Sequence, residues 1–198
     1  MKRVYLLLTA CYIFILAMSL PGCGGSGSPG STGSEDTGIQ ITSVNITRDT
    51  PDLDVYSSST ACSGASEAAL TREGATLNIT AAKLNPNSSF DPFPASVEEC
   101  RITYKKAVED PSSPTLESLM IYPNCSIING TSQCSVTLID IQRKTDYWNA
   151  YTGGTNQPKE YPTHYIAQYS CDYMNNLGKK GTFTTEYDLW LADFLVCD

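Results

Sequence analysis

The sequence predicts an all-β fold, an antiparallel β-sandwich with one short helix, and three observations lead to this prediction. Apolar and polar residues alternate over several short segments, polar turn residues separate these segments, and a helical pattern is confined to roughly residues 143–151. The clearest alternation spans residues 75–81, where Leu77, Ile79 and Ala81 share one face of a strand. Such a strand buries one face and exposes the other.

Further segments repeat this pattern. Polar residues alternate with apolar ones at Cys100, Ile102 and Tyr104, and the same alternation occurs in residues 165–173 and 183–191. A further segment, residues 135–141, is rich in β-formers. The turn formers of residues 174–180 lie between the last two alternating segments, which predicts a hairpin. In residues 39–47 the apolar positions are 39 and 41, then 44 and 46, and this change of phase predicts a bulge or a strand that switches sheets.

The order of these strands, the small helix and the long closing hairpin resemble an immunoglobulin-like or fibronectin type III-like domain. The resemblance is architectural and covers about residues 39–197. It implies an immunoglobulin-like β-sandwich as the single domain of residues 39–198.

The first 23 residues resemble the precursor of a bacterial lipoprotein. Lys2 and Arg3 precede an uncharged apolar run from residue 4 to residue 20, and Leu20-Pro21-Gly22-Cys23 is similar to a lipobox. The resemblance implies that residues 1–22 are a signal peptide and that Cys23 is acylated as the first residue of the mature chain. An uncleaved anchor helix, or an ordinary signal peptide followed by a free cysteine, are the alternatives. Gly24 in place of an aspartate favours the outer membrane.

Residues 23–38 are predicted to form the anchor cysteine and a tether. Residues 24–38 contain six Gly, four Ser and two Thr, with no large apolar side chain, so we expect a random coil in this segment.

Six of the eight cysteines remain after the leader is removed, and an even number in an exported chain indicates three disulfide bonds with 15 conceivable pairings. The absence of a C-x-x-C pair disfavours zinc or redox chemistry. Asn129-Gly130 predicts a tight turn between the two middle cysteines, and the sandwich brings the remaining four together in pairs. The favoured pairings are Cys62–Cys197, Cys100–Cys171 and Cys125–Cys134.

Composition excludes several functions. The net charge of −8 disfavours nucleic acid as a partner, and a single histidine, His164, makes serine-histidine and multi-histidine sites improbable. Glu98 and Glu99 are interpreted as solvated charges, because no motif places a partner carboxylate beside them. We expect no cofactor and no metal. The only candidates for binding calcium are Asp49, Asp52 and Asp54, which lack the glycine and the spacing of a calcium loop.

Aromatic residues are the remaining candidates for binding. Tyr147, Trp148 and Tyr151 lie in the helical stretch, and Trp190 lies on the side of its strand opposite Leu189 and Leu191. Exposed rings could stack on sugars or contact a protein, whereas buried rings fill the end of the sandwich. Burial is the favoured interpretation for the rings around the helical stretch, and Trp190 is the best single candidate for an exposed aromatic contact. Five Asn-x-Ser/Thr triplets are interpreted as surface pattern, at Asn45, Asn78, Asn87, Asn124 and Asn129.

These observations predict a lipid-anchored protein of the bacterial cell envelope with a non-catalytic role in adhesion, scaffolding or assembly, and not an enzyme. The expected partners are the membrane, through the lipid, and an envelope or surface protein or a glycan. One alternative is a carbohydrate-binding module with an exposed aromatic platform, and another is a small lipid-anchored hydrolase.

Overall fold

The computed structural model describes residues 30–56, 70–154 and 156–194. The signal peptide, Cys23 and the Cys62–Cys197 pairing therefore lie outside the described residues. Within these ranges the chain forms two helices, α1 (Ser34–Thr37) and α2 (Ile141–Thr152). The strands are β1 (Ile39–Thr47), β2 (Asp52–Asp54), β3 (Glu73–Lys83), β4 (Ala95–Lys106), β5 (Leu119–Ile121), β6 (Cys125–Ile127), β7 (Gly130–Ile139), β8 (Thr163–Met174) and β9 (Lys180–Ala192).

These strands form two sheets, which confirms the predicted all-β sandwich. Sheet I has the order β1-β3-β7, and sheet II has the order β2-β9-β8-β4-β5, with β6 also paired to β4. The chain crosses repeatedly between the two sheets, because β1, β3 and β7 belong to sheet I and the other described strands to sheet II. The structure departs from the prediction at β2, which pairs with β9 in parallel, whereas the other pairings between the described strands are antiparallel.

Alternating burial confirms the predicted strands. Leu77 and Ile79 in β3 are fully buried while their neighbours in the sequence are partly exposed. The predicted change of phase in β1 is a bulge, because the register against β3 shifts between Ile41 and Ser43. Strands β8 and β9 form the predicted hairpin, and the Asn175 side chain holds its turn by accepting hydrogen bonds from backbone N–H groups two and four residues later.

Helix α2 closes one end of the sandwich. It begins two residues before the predicted start, because the Asp140 carboxylate caps it by accepting from the Arg143 N–H at 3.0 Å. Its buried face consists of Lys144 and Tyr147, and the remaining residues are partly or fully exposed.

Two of the predicted disulfide bonds are present. Cys100 and Cys171 are direct partners on the neighbouring strands β4 and β8, and both are fully buried. Cys125 and Cys134 are also bonded, but the predicted local hairpin between them is wrong. Strand β6 pairs with β4 in sheet II whereas β7 pairs with β3 in sheet I, so this bond joins the two sheets.

The expectation of a random coil up to residue 38 is wrong for residues 30–38. Thr32 and Thr182 exchange two backbone hydrogen bonds, which places this segment along β9. Helix α1 follows, so the domain has a second helix that the sequence did not predict. Thr37 is fully buried, where its hydroxyl bonds to Tyr173 at 3.2 Å and its carbonyl accepts from the Asn175 side chain at 2.9 Å.

Close backbone packing explains why a glycine-rich segment is ordered here. A Cβ atom at Gly33 would lie 2.7 Å from the Gly181 Cα, and a Cβ atom at Gly181 would lie 2.5 Å from the Tyr173 ring. The segment therefore docks through small residues and hydrogen bonds, without the large apolar side chains whose absence suggested a coil.

Buried tyrosines fill the space between the sheets. Tyr104 and Tyr169 extend from sheet II and donate hydrogen bonds to the carbonyls of Leu138 and Thr137 in β7, at 2.7 and 2.8 Å. Tyr165 donates at 2.6 Å to the carbonyl of Pro114, in the loop that leads to β5. Each hydroxyl thus satisfies its hydrogen bond inside the core, as burial requires.

We predict that Tyr169→Phe lowers the free energy of unfolding by about 1.5 kcal/mol, because the buried carbonyl of Thr137 loses its donor. Urea denaturation followed by circular dichroism measures the loss. Tyr187→Phe is the matched control: Tyr187 is half-exposed and makes no side-chain hydrogen bond to the described residues, so a change below about 0.5 kcal/mol is expected. Equal losses in both variants would contradict the role given to the Tyr169 hydroxyl.

Candidate functional site

The helical aromatic candidates are only partly exposed. Tyr147 is fully buried, and its hydroxyl bonds to the Thr163 hydroxyl at 2.7 Å and to the Leu191 carbonyl at 3.3 Å. Burial raises the pKa of Tyr147 to about 12. The prediction that Tyr147 contributes to binding is therefore wrong, because its ring belongs to the core.

Trp148 and Tyr151 belong to a surface row of four rings that we term the aromatic column, which consists of Tyr56, Trp148, Tyr151 and Tyr161. Successive ring centroids lie 4.5, 5.7 and 5.2 Å apart, and the planes of the first and last pairs are inclined by 26° and 15°. These two pairs overlap face to face with an offset, whereas the planes of Trp148 and Tyr151 are inclined by 36°. Their faces thus cover one another, and Tyr161, 42% exposed, is the most accessible.

This stacking bears on the alternative of a carbohydrate module with an aromatic platform. A sugar stacks on the free face of a ring, so such a platform needs neighbouring rings whose faces point the same way into solvent. The aromatic column instead uses the ring faces for contacts among its own members. It gives the platform alternative no support.

Trp190 is half-buried on the outer face of sheet II. Its ring stacks on the imidazole of His164, with centroids 4.2 Å apart and planes inclined by 9°. The imidazole Nε2 lies 2.8 Å from the Asp188 carboxylate. His164 is thus partly exposed, and Trp190 is less accessible than a free aromatic anchor.

The aspartates considered for calcium do not converge. Asp52 and Asp54 flank the buried Leu53 on β2, and Asp54 accepts a hydrogen bond from the Tyr56 N–H. Burial raises the pKa of Asp54, partly offset by that hydrogen bond. In the part of the chain that the structure describes, no three His, Cys, Asp or Glu residues are close enough to hold a metal ion.

The buried carboxylate of Asp110 organises a loop. It accepts hydrogen bonds from the Ser112 and Ser113 hydroxyls and from the Lys159 N–H. These hydrogen bonds hold the pKa of Asp110 well below its usual range, and the one from the Ser112 hydroxyl has the largest effect. The side chain fastens residues 110–113 to the segment that precedes β8, which is a structural role.

An ion network joins α2 to sheet I. The Lys144 ammonium is buried and lies 2.7 Å from one oxygen of Glu73, whose other oxygen lies 2.9 Å from Arg48. Burial alone would raise the pKa of Glu73, but the hydrogen bonds and charges of Lys144 and Arg48 outweigh it and lower the pKa. Because the partners come from α2, β3 and the residue after β1, the network fixes the helix on the sandwich.

A polar surface on sheet I, which we term the polar ladder, was not predicted from the sequence. It consists of nine residues on the outer face of sheet I, aligned in three rows across β1, β3 and β7. The rows are Ser43, Thr80 and Thr131; Asn45, Asn78 and Gln133; and Thr47, Thr76 and Ser135. Two Asn-x-Thr triplets supplied the signal, because each places its Asn and Thr on the same face of a strand.

Side-chain hydrogen bonds hold the polar ladder in place. The Asn78 amide donates to the Thr47 hydroxyl at 3.0 Å, and the Gln133 amide donates to the Asn78 oxygen at 3.1 Å. The hydroxyls of Thr80 and Thr131 lie 3.3 Å apart. Thr47, Asn78 and Gln133 are thus linked by side-chain hydrogen bonds across all three strands.

An open groove of about 890 Å³ adjoins the last row of the polar ladder. Thr47, Thr76 and Ser135 form part of its floor, and residues 120–123 lie along one side. Tyr122 in that segment is 71% exposed. Among the described residues that line the groove, Asp49 alone carries a carboxylate, so they do not supply the paired carboxylates that the hydrolase alternative requires.

Comparisons of this chain with protein-family models, with curated proteins and with solved structures found no match. The described residues form an all-β sandwich, and two disulfide bonds join cysteines among them. Neither described helix has the length and apolar character needed to cross a membrane.

We predict that Lys144→Met lowers the free energy of unfolding by about 2 kcal/mol at neutral pH, because Glu73 loses its buried hydrogen-bond partner. Since the folded protein lowers the pKa of Glu73, its stabilising contribution is present above the unfolded value near 4.3 and is lost as the pH falls below it. The difference between variant and wild type should therefore shrink in acid. Urea denaturation at several pH values measures it.

Lys179→Met is the matched control, since Lys179 is exposed in the β8–β9 turn and its side chain makes no hydrogen bond or ion pair with the described residues. We expect its effect to be below about 0.5 kcal/mol at every pH. A Lys144→Met loss that does not change between neutral and acid pH would show that Glu73 is not the group that Lys144 stabilises.

Proposed function

We propose that this protein is a lipid-anchored component of the bacterial cell envelope whose β-sandwich has a non-catalytic binding or structural role. The order of a basic start, an apolar run, a lipobox-like tetrapeptide and a glycine-rich segment supports the anchor at Cys23. The acyl chains would hold the protein on the membrane, and Gly24 favours the outer membrane as its location.

The observation that carries this proposal is the pair of disulfide bonds in the domain. Cys100–Cys171 lies in the core of the sandwich, and Cys125–Cys134 connects its two sheets. Disulfide bonds persist in oxidising compartments and are rare in the cytosol. A domain braced in this way is what an exported, lipid-anchored chain is expected to carry.

The docked segment of residues 30–38 limits how far the domain can stand from the membrane. Only six residues separate Cys23 from Gly30, the first described residue. Seven residue steps span at most about 25 Å even when fully extended. An anchor at Cys23 would therefore hold the domain near the bilayer, closer than a tether that reached residue 38.

The same docking determines which end of the domain is farther from the anchor. Thr32 pairs with Thr182 near the start of β9, whereas α2 and the aromatic column lie around the end of this strand at Ala192. Ten residues of strand correspond to roughly 33 Å. The helix end is thus the end more available to an envelope protein or glycan.

We predict that cells incorporate radioactive palmitate into the wild-type chain and not into the Cys23→Ala variant, because the lipid is attached at Cys23. In addition, the variant should no longer be found as mature protein in the membrane fraction. It should be either soluble or an uncleaved precursor that keeps its leader. Immunoprecipitation followed by autoradiography measures the incorporation.

Cys11→Ala is the matched control, since Cys11 lies in the apolar run that is removed with the leader. This variant should be labelled like the wild type. Equal labelling of Cys23→Ala and the wild type would refute the anchor.

A further inference from the structure

The outer faces of the two sheets differ in charge. None of the nine residues of the polar ladder carries a charge, although the chain as a whole has 21 acidic and 13 basic residues. The outer face of sheet II instead carries charges on all three of its long strands, at Glu99, Arg101, Lys105, Asp172, Glu186 and Asp188. Solvent exposure alone thus does not explain the composition of the polar ladder, since sheet II is exposed in the same way.

The polar ladder presents hydroxyl and amide groups in a regular array. Hydroxyl rows lie on either side of the amide row, and residues two apart along a strand are separated by about 6.7 Å. Hydroxyls and amides each donate and accept hydrogen bonds. An uncharged molecule with many hydroxyl groups matches this array, whereas an ionic partner finds no countercharge on it.

The internal hydrogen bonds of the polar ladder favour binding. Asn78 is held between Thr47 and Gln133, so its amide is already oriented before a ligand arrives. Pre-orientation lowers the entropy that side chains lose on binding. The β-sheet beneath them, with Leu77 and Ile79 fully buried, keeps the rows in register.

The groove next to the last row extends this surface. It shares Thr47, Thr76 and Ser135 with the polar ladder, and the exposed ring of Tyr122 follows Ile121 on its side. An aromatic ring offers an apolar face to the C–H side of a sugar, and its hydroxyl offers a hydrogen bond. Arg48, Asp49 and Arg72 also line the groove, so this part of the surface carries charge whereas the polar ladder does not.

We propose that the polar ladder and the adjoining groove form a binding surface for an uncharged polysaccharide whose hydroxyl or N-acetyl groups pair with the three rows. This inference rests on the proposed non-catalytic binding role and names the chemical class of its partner. It places the glycan on sheet I, away from the aromatic column.

Affinity electrophoresis of the full chain in detergent tests this proposal, with hydroxyethyl cellulose, glycol chitin or dextran in the gel and alginate as an anionic comparison. We expect at least one uncharged polymer to retard the protein and alginate to have no such effect. Gln133→Glu places a charge in the amide row, and it should weaken the association by roughly tenfold, the equivalent of one hydrogen bond.

Gln168→Glu is the matched control, because it adds the same charge on the outer face of sheet II, where Gln168 pairs with Glu186. It should leave the retardation unchanged, and circular dichroism should show both variants folded. The proposal is overturned if no uncharged polymer retards the protein or if both variants lose binding equally. It is also overturned if sedimentation shows a dimer that Gln133→Glu dissociates, since the polar ladder would then be an interface between two copies.

Palmitate labelling and polysaccharide binding can fail separately. Binding of the purified chain does not depend on acylation of Cys23, and acylation does not depend on Gln133. Labelling without glycan retardation would therefore leave the anchor in place and remove only the polysaccharide surface.

Discussion

The hydrogen bonds of the buried tyrosine hydroxyls are the constraint on which the sandwich depends. Each ring fills the space between the sheets, but its hydroxyl must find an acceptor there, because an unsatisfied buried polar group costs about 1–3 kcal/mol. Tyr104 and Tyr169 find theirs on β7 of the opposite sheet, and Tyr173 finds Thr37 of the N-terminal segment. The tyrosines of sheet II therefore determine where β7 and residues 30–38 can lie.

This constraint separates the roles of the two surfaces of sheet I. The inner side chains of β3 and β7 pack on the buried tyrosines of sheet II, which we term the tyrosine layer and which include Tyr104, Tyr165, Tyr169 and Tyr173. The disulfide bond of Cys125 and Cys134 holds β7 beside β6. Stability thus resides in the core and in the ion network of Lys144 and Glu73. The outer side chains of sheet I lie outside these stabilising contacts. The polar ladder is therefore available to bind a ligand.

The sequence predicted the longer strands because apolar and polar residues alternate in them, and it predicted a change of phase in β1 after Ile41. It did not predict β2, β5 and β6, which are too short to show an alternating pattern. It could not predict the docking of residues 30–38, since the close approach of Gly33 and Gly181 leaves no pattern within either segment. Nor could it assemble the amide row: Asn45, Asn78 and Gln133 belong to distant segments, and only the register of three strands aligns them. Burial of Tyr147 likewise depends on which face of α2 meets the sandwich.

Spectrophotometric titration of the tyrosines, with circular dichroism recorded on the same samples, tests the tyrosine layer most directly. Burial raises the pKa of Tyr104, Tyr165 and Tyr169 above the ordinary value near 10. Their contribution to stability is therefore complete below pH 10 and declines as the pH rises further. We expect these three tyrosines to ionise only as the β-sheet signal is lost. Ionisation of these tyrosines near pH 10 with that signal intact would contradict the account.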